Sequence, residues 1–264
     1  MKFFSNIMNL NIKNAVGFLT FKKLEQFKFI NHAFSTRLGG ISSGNFSTLN
    51  LGERNGDTHE NVKENIKRFC KAAGFSEDHI CFLKQEHSTK VKIVNERNFQ
   101  DYGEFDGSVT NIKGLVLSTA HADCAPLFFV DEKTRSIGIA HAGWRGTVKN
   151  IVRKIIKSMV DQYGSNSNDI ICCIGPCIQS CCFEVQEDVG AIFEKINKDL
   201  VKLKNGKIFA DIVECNKRNL IAAGIKSENI FTSDLCTKCS SDLLFSYRVQ
   251  GYHHGNMIAA ISLV

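Results

Sequence analysis

Hydrophobic residues recur along this chain with two periods, and the two separate segment by segment. Val62, Ile66, Phe69, Cys70 and Ala73 stand three or four positions apart, which lines one face of a helix, and Gly74 follows as a stop. Asp57 with Glu60 three positions on reads as the cap of that helix. A longer stripe, from Val148 and Ile151 through Ile155 and Ile156 to Met159, predicts one helix over 147–163, closed by Gly164. Its other face carries Lys149, Arg153, Lys154 and Lys157. A solvated face on a packed helix accounts for them better than a membrane-surface helix, because the apolar stripe has the width of a core face. Further helices are expected over 188–196 and 211–223.

Unbroken apolar runs bounded by turn signals read instead as strands buried on both faces: 80–83, 91–94, 115–118, 127–130, 137–140, 170–174 and 257–264. Roughly the first 27 residues suggest a strand or two. Thr36-Arg37-Leu38-Gly39-Gly40 and Ser42-Ser43-Gly44-Asn45 form a turn-rich loop leading to a short extended piece, Leu49-Asn50-Leu51-Gly52. Strands and helices alternate irregularly, so the fold class is α+β, or mixed α/β. No internal repeat and only two prolines, Pro126 and Pro176, interrupt the chain, which predicts a single domain over 1–264.

Composition alters this picture in two places. A net charge of +6 is compatible with an anionic substrate but falls short of the density of a nucleic-acid binder. Eleven cysteines is an odd number. The early segment Phe3-Phe4-Ser5-Asn6 is broken by asparagine before a signal peptide can develop, and no window has the apolar length of a membrane span. The expectation is therefore a cytoplasmic protein whose cysteines are thiols, metal ligands or catalytic groups.

Three residues stand where predicted strands hand over to loops: His87 in Gln85-Glu86-His87-Ser88, Cys124 in Ala122-Asp123-Cys124-Ala125-Pro126, and His141 in Ala140-His141-Ala142-Gly143-Trp144-Arg145-Gly146. Two imidazoles and a thiolate suit zinc, and three ligands leave a position open, as in a catalytic site. The spacings of 37 and 17 residues carry no zinc-finger signature. His121 competes as a ligand. The same residues also allow a metal-free reading, with Cys124 as nucleophile and His141 or His87 as base. Arg145-Gly146, at the start of the long predicted helix, offers an anion site or a structural ion pair. Trp144 suits stacking on a base, or the core. Cys177, Cys181, Cys236 and Cys239 allow a four-cysteine zinc or iron–sulfur site, against a plainer reading of incidental thiols. Cys172 and Cys173, inside an apolar run, read as core.

These segments, together with Asp106-Gly107, Gly175-Pro176-Cys177-Ile178, Cys182-Phe183-Glu184-Val185 and Phe245-Ser246-Tyr247-Arg248, resemble in order the motifs of the YfiH family, also called polyphenol oxidase or laccase-domain proteins. The resemblance runs from about residue 30 to residue 264. It implies an α-β-β-α sandwich of layered helices packed on mixed sheets, with zinc held by His87, Cys124 and His141. It also implies phosphorolysis of adenosine, inosine, guanosine and 5′-methylthioadenosine to base and ribose 1-phosphate, with adenosine deamination. The family's older label is copper-dependent phenol oxidation, which ranks lower because two histidines and one cysteine do not make several copper centres and zinc has no redox role. Zinc suits deamination by activating water for attack at C6 of adenine. Within this frame Arg145 and Arg248 are expected to bind phosphate or ribose, Arg37 and Asn50 to line the pocket, and Asp123 or Glu184 to transfer protons. His121 and Glu86 depart from the family's usual residues. The competing classes are a metal-free Cys/His hydrolase and a non-catalytic binding protein. Partners are expected to be purine nucleosides and phosphate, with no nucleic acid or membrane, and the oligomeric state is left open.

Overall fold

In strand Ala125–Asp131 the side chains of Ala125, Leu127 and Phe129 enter one core while Phe128 and Val130 enter another. Strand Ser136–Ala142 divides likewise, with Ala140 and Ala142 on one side and Ile137 and Ile139 on the other. In strand Met257–Leu263, Met257, Ala259 and Ile261 join that second core, and Ile258 and Ala260 enter a third. A two-residue period with apolar side chains at both parities means a sheet covered on both faces. The layers follow from this, in a computed structural model that describes residues 3–53, 55–96 and 103–264.

The first sheet runs Met8–Lys13, Val16–Phe21, Ile30–Ser35, Met257–Leu263, Val116–His121, Ile80–Cys81. The second runs Ile230–Thr232, Ile171–Ile174, Ala125–Asp131, Ser136–Ala142, Gly107–Thr110, Val91–Ile93. Both mix parallel and antiparallel pairs. They face one another across the second core, where Phe21 meets Phe128 edge to face at 5.7 Å. A small third sheet joins Glu184–Val185, Lys207–Ala210 and Val201–Lys204.

Among the described residues six helices cover the outside: α1 (His59–Ala73), α2 (Trp144–Val148), α3 (Ile151–Tyr163), α4 (Glu187–Ile196), α5 (Ile212–Ala222) and α6 (Tyr247–Gln250). Helix α1 covers the first sheet through Phe69, Cys70, Ala72 and Ala73, and α3 and α5 cover the second. The result is a mixed α/β single domain in four layers, helix, sheet, sheet, helix. Among the described residues no helix is long and apolar enough to cross a membrane.

The single helix expected over 147–163 is two. Asn150 adopts φ 60° and caps α3, its side-chain oxygen accepting the N–H of Arg153, so the chain turns although both helices feed the same core. Its apolar stripe continues across the break, which is why the periodicity conceals it. The cap of α1 is Thr58 rather than Asp57, whose carboxylate instead takes Ser42, Asn50 and Asn61. Gly74 and Gly164 close α1 and α3 at positive φ, as the pattern predicts. Leu49-Asn50-Leu51-Gly52 forms no strand; Leu49 and Leu51 plug the core beneath α1.

Candidate metal centre and active site

The segment carrying His87 has no regular structure, and one carboxylate shapes it. Asp106, fully buried just ahead of strand Gly107–Thr110, accepts the backbone N–H of Glu86, His87 and Ser88 at 3.2, 3.0 and 2.6 Å. It also accepts the Ser88 hydroxyl at 2.6 Å. Successive amides converge on an anion when one residue turns left-handed, and His87 does so at φ 56°. Gln85 ties the same segment to the first sheet by giving and taking a hydrogen bond with Ala120.

Asp106 takes one more donor, the Nδ1–H of His141 at 2.9 Å. An ionised carboxylate only accepts, so the ring proton sits on Nδ1 and the lone pair on Nε2 is left for a ligand. His141 itself is within strand Ser136–Ala142, one residue from its end. Cys124 occupies the turn between strands Val116–His121 and Ala125–Asp131, where Asp123 adopts φ 90°. The site therefore lies at one end of the sandwich, where turns from both sheets meet.

One ligand atom from each of His87, Cys124 and His141 lies within 4.8 Å of the others, and His87 Nε2 stands 3.9 Å from Cys124 Sγ. A tetrahedral ion with bonds of about 2.1 Å to nitrogen and 2.3 Å to sulfur spaces two ligands by about 3.6 Å. These three residues can hold a metal ion. Burial opposes ionisation of Cys124, but the charge and hydrogen bonds of His141 and His87 outweigh it and hold the thiol at about 6. Burial also works against a charged His141, yet the Cys124 thiolate and Asp106 raise it to about 9. Burial opposes ionisation of Asp106 as well, but the hydrogen bonds of His141 and Ser88 and the His141 charge keep it well below the usual carboxylate range. Without a metal the pair is thus a thiolate beside an imidazolium.

Gly143 matters here for space. A Cβ on it would lie 2.8 Å from His87 Cδ2 and 3.1 Å from Cys124 Sγ. His121 stays outside the ligand group: its Nδ1 gives its proton to the Cys124 carbonyl at 3.1 Å, and its Nε2 pairs with the Thr119 hydroxyl at 2.8 Å. Burial first and the His141 charge second keep its ring well below the ordinary histidine value, hence neutral.

The remaining expected residues are placed as follows. Asp123 gives both oxygens away, one to the Thr237 hydroxyl at 2.5 Å and one to the Arg248 backbone N–H at 2.8 Å. The exposed Arg248 guanidinium donates to the Glu184 carbonyl at 2.7 Å and lies over the Phe183 ring. The Glu184 carboxylate pairs with Lys207. Arg145, exposed, stacks on Trp144 at 4.3 Å and makes no ion pair among the described residues, and it heads a helix of five residues rather than seventeen. Trp144 packs at the edge of the core beneath α3. Arg37 donates to the carbonyls of Ser47 and Ser241, and Asn50, fully buried, bonds Gly52, Asp57 and Asn256. Both brace the loop over 36–52 against the segment that carries Arg248. The partners that sequence reasoning passed over are Asp106, Gly143, Ser88 and Thr237. Asp106 stands in a quoted motif, but nothing local says that its carboxylate reaches a loop some 20 residues earlier.

Comparison with known proteins places the fold in a family. The chain is 33% identical to the purine nucleoside phosphorylase LACC1 of Mus musculus over 88% of its own length and 55% of that protein's. It thus spans about half of that relative. It is 32% identical to the adenosine deaminase RL5 of an unknown prokaryotic organism, covering 87% of this chain and 92% of the other. The crystal structure of YlmD from Geobacillus stearothermophilus superposes with a TM-score of 0.90 at 27% identity, over 97% of this chain and 98% of that one. A family model described as multi-copper polyphenol oxidoreductase laccase matches residues 31–264. With nearly the whole chain matched and the motif residues gathered at one site, the protein belongs to this laccase-domain family, that of YfiH and YlmD.

Proposed function

We propose that the protein is a zinc-dependent purine nucleoside phosphorylase that also deaminates adenosine. Its substrates would be adenosine, inosine, guanosine or 5′-methylthioadenosine, with phosphate. The carrying observation is the His87–Cys124–His141 group, oriented by Asp106 and exposed on its His87 side, which fits a three-ligand catalytic zinc with one position open. Zinc bound there supplies a Lewis acid able to polarise water or substrate. The names of the phosphorylase and deaminase relatives support the substrate class.

The chain's own residues divide the rest. Asp106 fixes the His141 tautomer. Arg145, whose guanidinium lies on the Trp144 ring and makes no ion pair among the described residues, suits phosphate oxygens, and the exposed Arg248 guanidinium suits phosphate or ribose. Both Asp123 carboxylate oxygens are engaged, by Thr237 and the Arg248 backbone, and the Glu184 carboxylate pairs with Lys207 while its main-chain carbonyl holds the Arg248 guanidinium, which favours positioning roles over proton transfer. Phenol oxidation fits poorly, because one three-ligand group cannot supply the several coppers of a laccase. The cytoplasmic setting rests on cysteine usage.

Incubating the zinc-loaded protein with adenosine, with and without phosphate, separates the activities: adenine that requires phosphate reports phosphorolysis, and inosine reports deamination. Loss of both on chelation and their return with zinc are expected; neither product from the loaded protein removes the proposal. One observation favours a second reading. The Cys124 thiolate beside a protonated His141 is the arrangement of a cysteine hydrolase, and metal content near zero in the active protein would select it.

A further inference from the structure

Cysteine is among the most buried residue types, so a cysteine at the surface calls for a reason. Seven of the eleven are buried; the four others are Cys124, Cys181, Cys182 and Cys239. Cys124 belongs to the centre above. The other three converge on the buried Cys236, and ligand atoms of all four lie within 4.8 Å of one another. No cysteine outside the core is therefore left over.

The four come from two segments far apart in sequence. Cys181 and Cys182 lie in a turn in which the N–H groups of Cys182 and Phe183 both reach the Gln179 carbonyl. Cys236 pairs in a parallel bridge with Cys177, and a turn closed by Ser240 N–H on the Cys236 carbonyl brings Cys239 back. Cys177 itself is buried in the core, so the four-cysteine set expected from spacing is corrected by exchanging Cys177 for Cys182.

The sulfur spacing discriminates between uses. Cys182 Sγ is 3.4 Å and Cys181 Sγ 3.8 Å from Cys239 Sγ. A disulfide requires about 2.05 Å. Four thiolates on zinc, at about 2.3 Å from the ion, stand about 3.8 Å apart. We propose that Cys181, Cys182, Cys236 and Cys239 form a second metal centre, a closed structural zinc tetrathiolate separate from the His87 group. Binding releases the remaining thiol protons to solvent. A Cys-x-x-Cys knuckle grips its metal partly through backbone N–H groups aimed at sulfur, and Cys236 receives two, from Gln179 and Cys239.

The position of the centre gives it a purpose. Cys182 is two residues from Glu184, whose carbonyl holds the Arg248 guanidinium, and Cys236 adjoins Thr237, whose hydroxyl holds Asp123. A metal here joins the two loops that together place Arg248 and Asp123.

The test uses the full chain carrying Cys124→Ser, which disables the first centre. One zinc per chain is expected, with four sulfur ligands at about 2.3 Å in its X-ray absorption spectrum. Cobalt substitution should give thiolate-to-metal charge transfer and tetrahedral bands. In the parent chain, Cys236→Ser and Cys239→Ser should each remove one zinc equivalent and leave any zinc held by His87 and His141. Because each centre is cleared separately, failure at one is distinguishable from failure at the other. Four freely alkylated thiols without metal, a disulfide from Cys181 or Cys182 to Cys239, nitrogen ligands on the remaining zinc, or iron in its place would each overturn the proposal. Should the serine variants fail to fold, the absorption and cobalt measurements on the Cys124→Ser chain decide it.

Discussion

Replacing Asp106 with asparagine removes one charge and one acceptor from the point where the site is assembled. Oδ2 takes the N–H groups of Glu86 and Ser88, and Oδ1 takes those of His87 and His141. An amide can meet only one of these pairs with oxygen. If its NH₂ faces Glu86 and Ser88, two half-buried N–H donors lose their acceptor, at most about 1–3 kcal/mol each, or up to about 2–6 kcal/mol of stability. If it faces His87 and His141, the imidazole can avoid the clash only by moving its proton to Nε2, which takes away the ligand lone pair. Either orientation loosens the centre, and removal of such a supporting partner typically weakens metal binding about 10–100-fold. Urea unfolding of the metal-free protein measures the first effect, and competition with a chromophoric zinc chelator the second. A variant within about 1 kcal/mol of the parent in stability, and unchanged in zinc affinity, would show that Asp106 does not organise the site.

Gly143→Ala places a methyl group against His87 and Cys124, so zinc content and both nucleoside activities should fall while the fold persists; a fully loaded variant would contradict the packing read at that position. In metal-free protein, alkylation of Cys124 by iodoacetamide should be half-maximal near pH 6, and zinc should protect it; a midpoint at the ordinary thiol value would remove the thiolate–imidazolium pair. His32, buried between Phe21 and Phe128 and accepting the Phe21 N–H, is held down at about 4 by burial. The unfolded chain therefore binds the extra proton first, and stability should decline as pH falls from 6.5 towards 4, by about 3 kcal/mol in total. Urea midpoints across that range should fall less steeply for His32→Gln, and parallel curves would refute the assignment.

How far these features are legible in the sequence depends on whether their cause is local. The apolar runs mark the central strands because burial on both faces leaves no polar positions to blur them. Strand Gly107–Thr110 escapes that reading: it is Gly-Ser-Val-Thr, fully buried, with Thr110 giving its hydroxyl to the Val94 carbonyl. Asn205-Gly206, both at positive φ, closes a two-residue hairpin; its dipeptide and the alternation Val201-Lys202-Leu203-Lys204 before it are visible in the sequence, but each strand is only four residues and the first is mostly exposed, so no apolar run marks it. The three candidate ligands His87, Cys124 and His141 sit in motifs and could be named, whereas Asp106 acts across segments that only the folded sheet brings together. In the four-cysteine group the register of one turn decides whether Cys177 or Cys182 points outward, and spacing does not contain that register.

The placement of strand Met257–Leu263 has a bearing on how the molecule is made. It lies between strands Ile30–Ser35 and Val116–His121 and hydrogen-bonds to both, yet it is translated after every other element of that sheet. A ribosome has therefore released most of the domain before the seam can shut. Until then the facing edges of both neighbouring strands stay unpaired, and the pairings that close them span more than 200 residues on one side and more than 130 on the other, a slow search by loop entropy. The nascent chain waits with two open strand edges, the kind of surface that pairs wrongly when left exposed, so correct folding depends on keeping them apart until the last strand arrives.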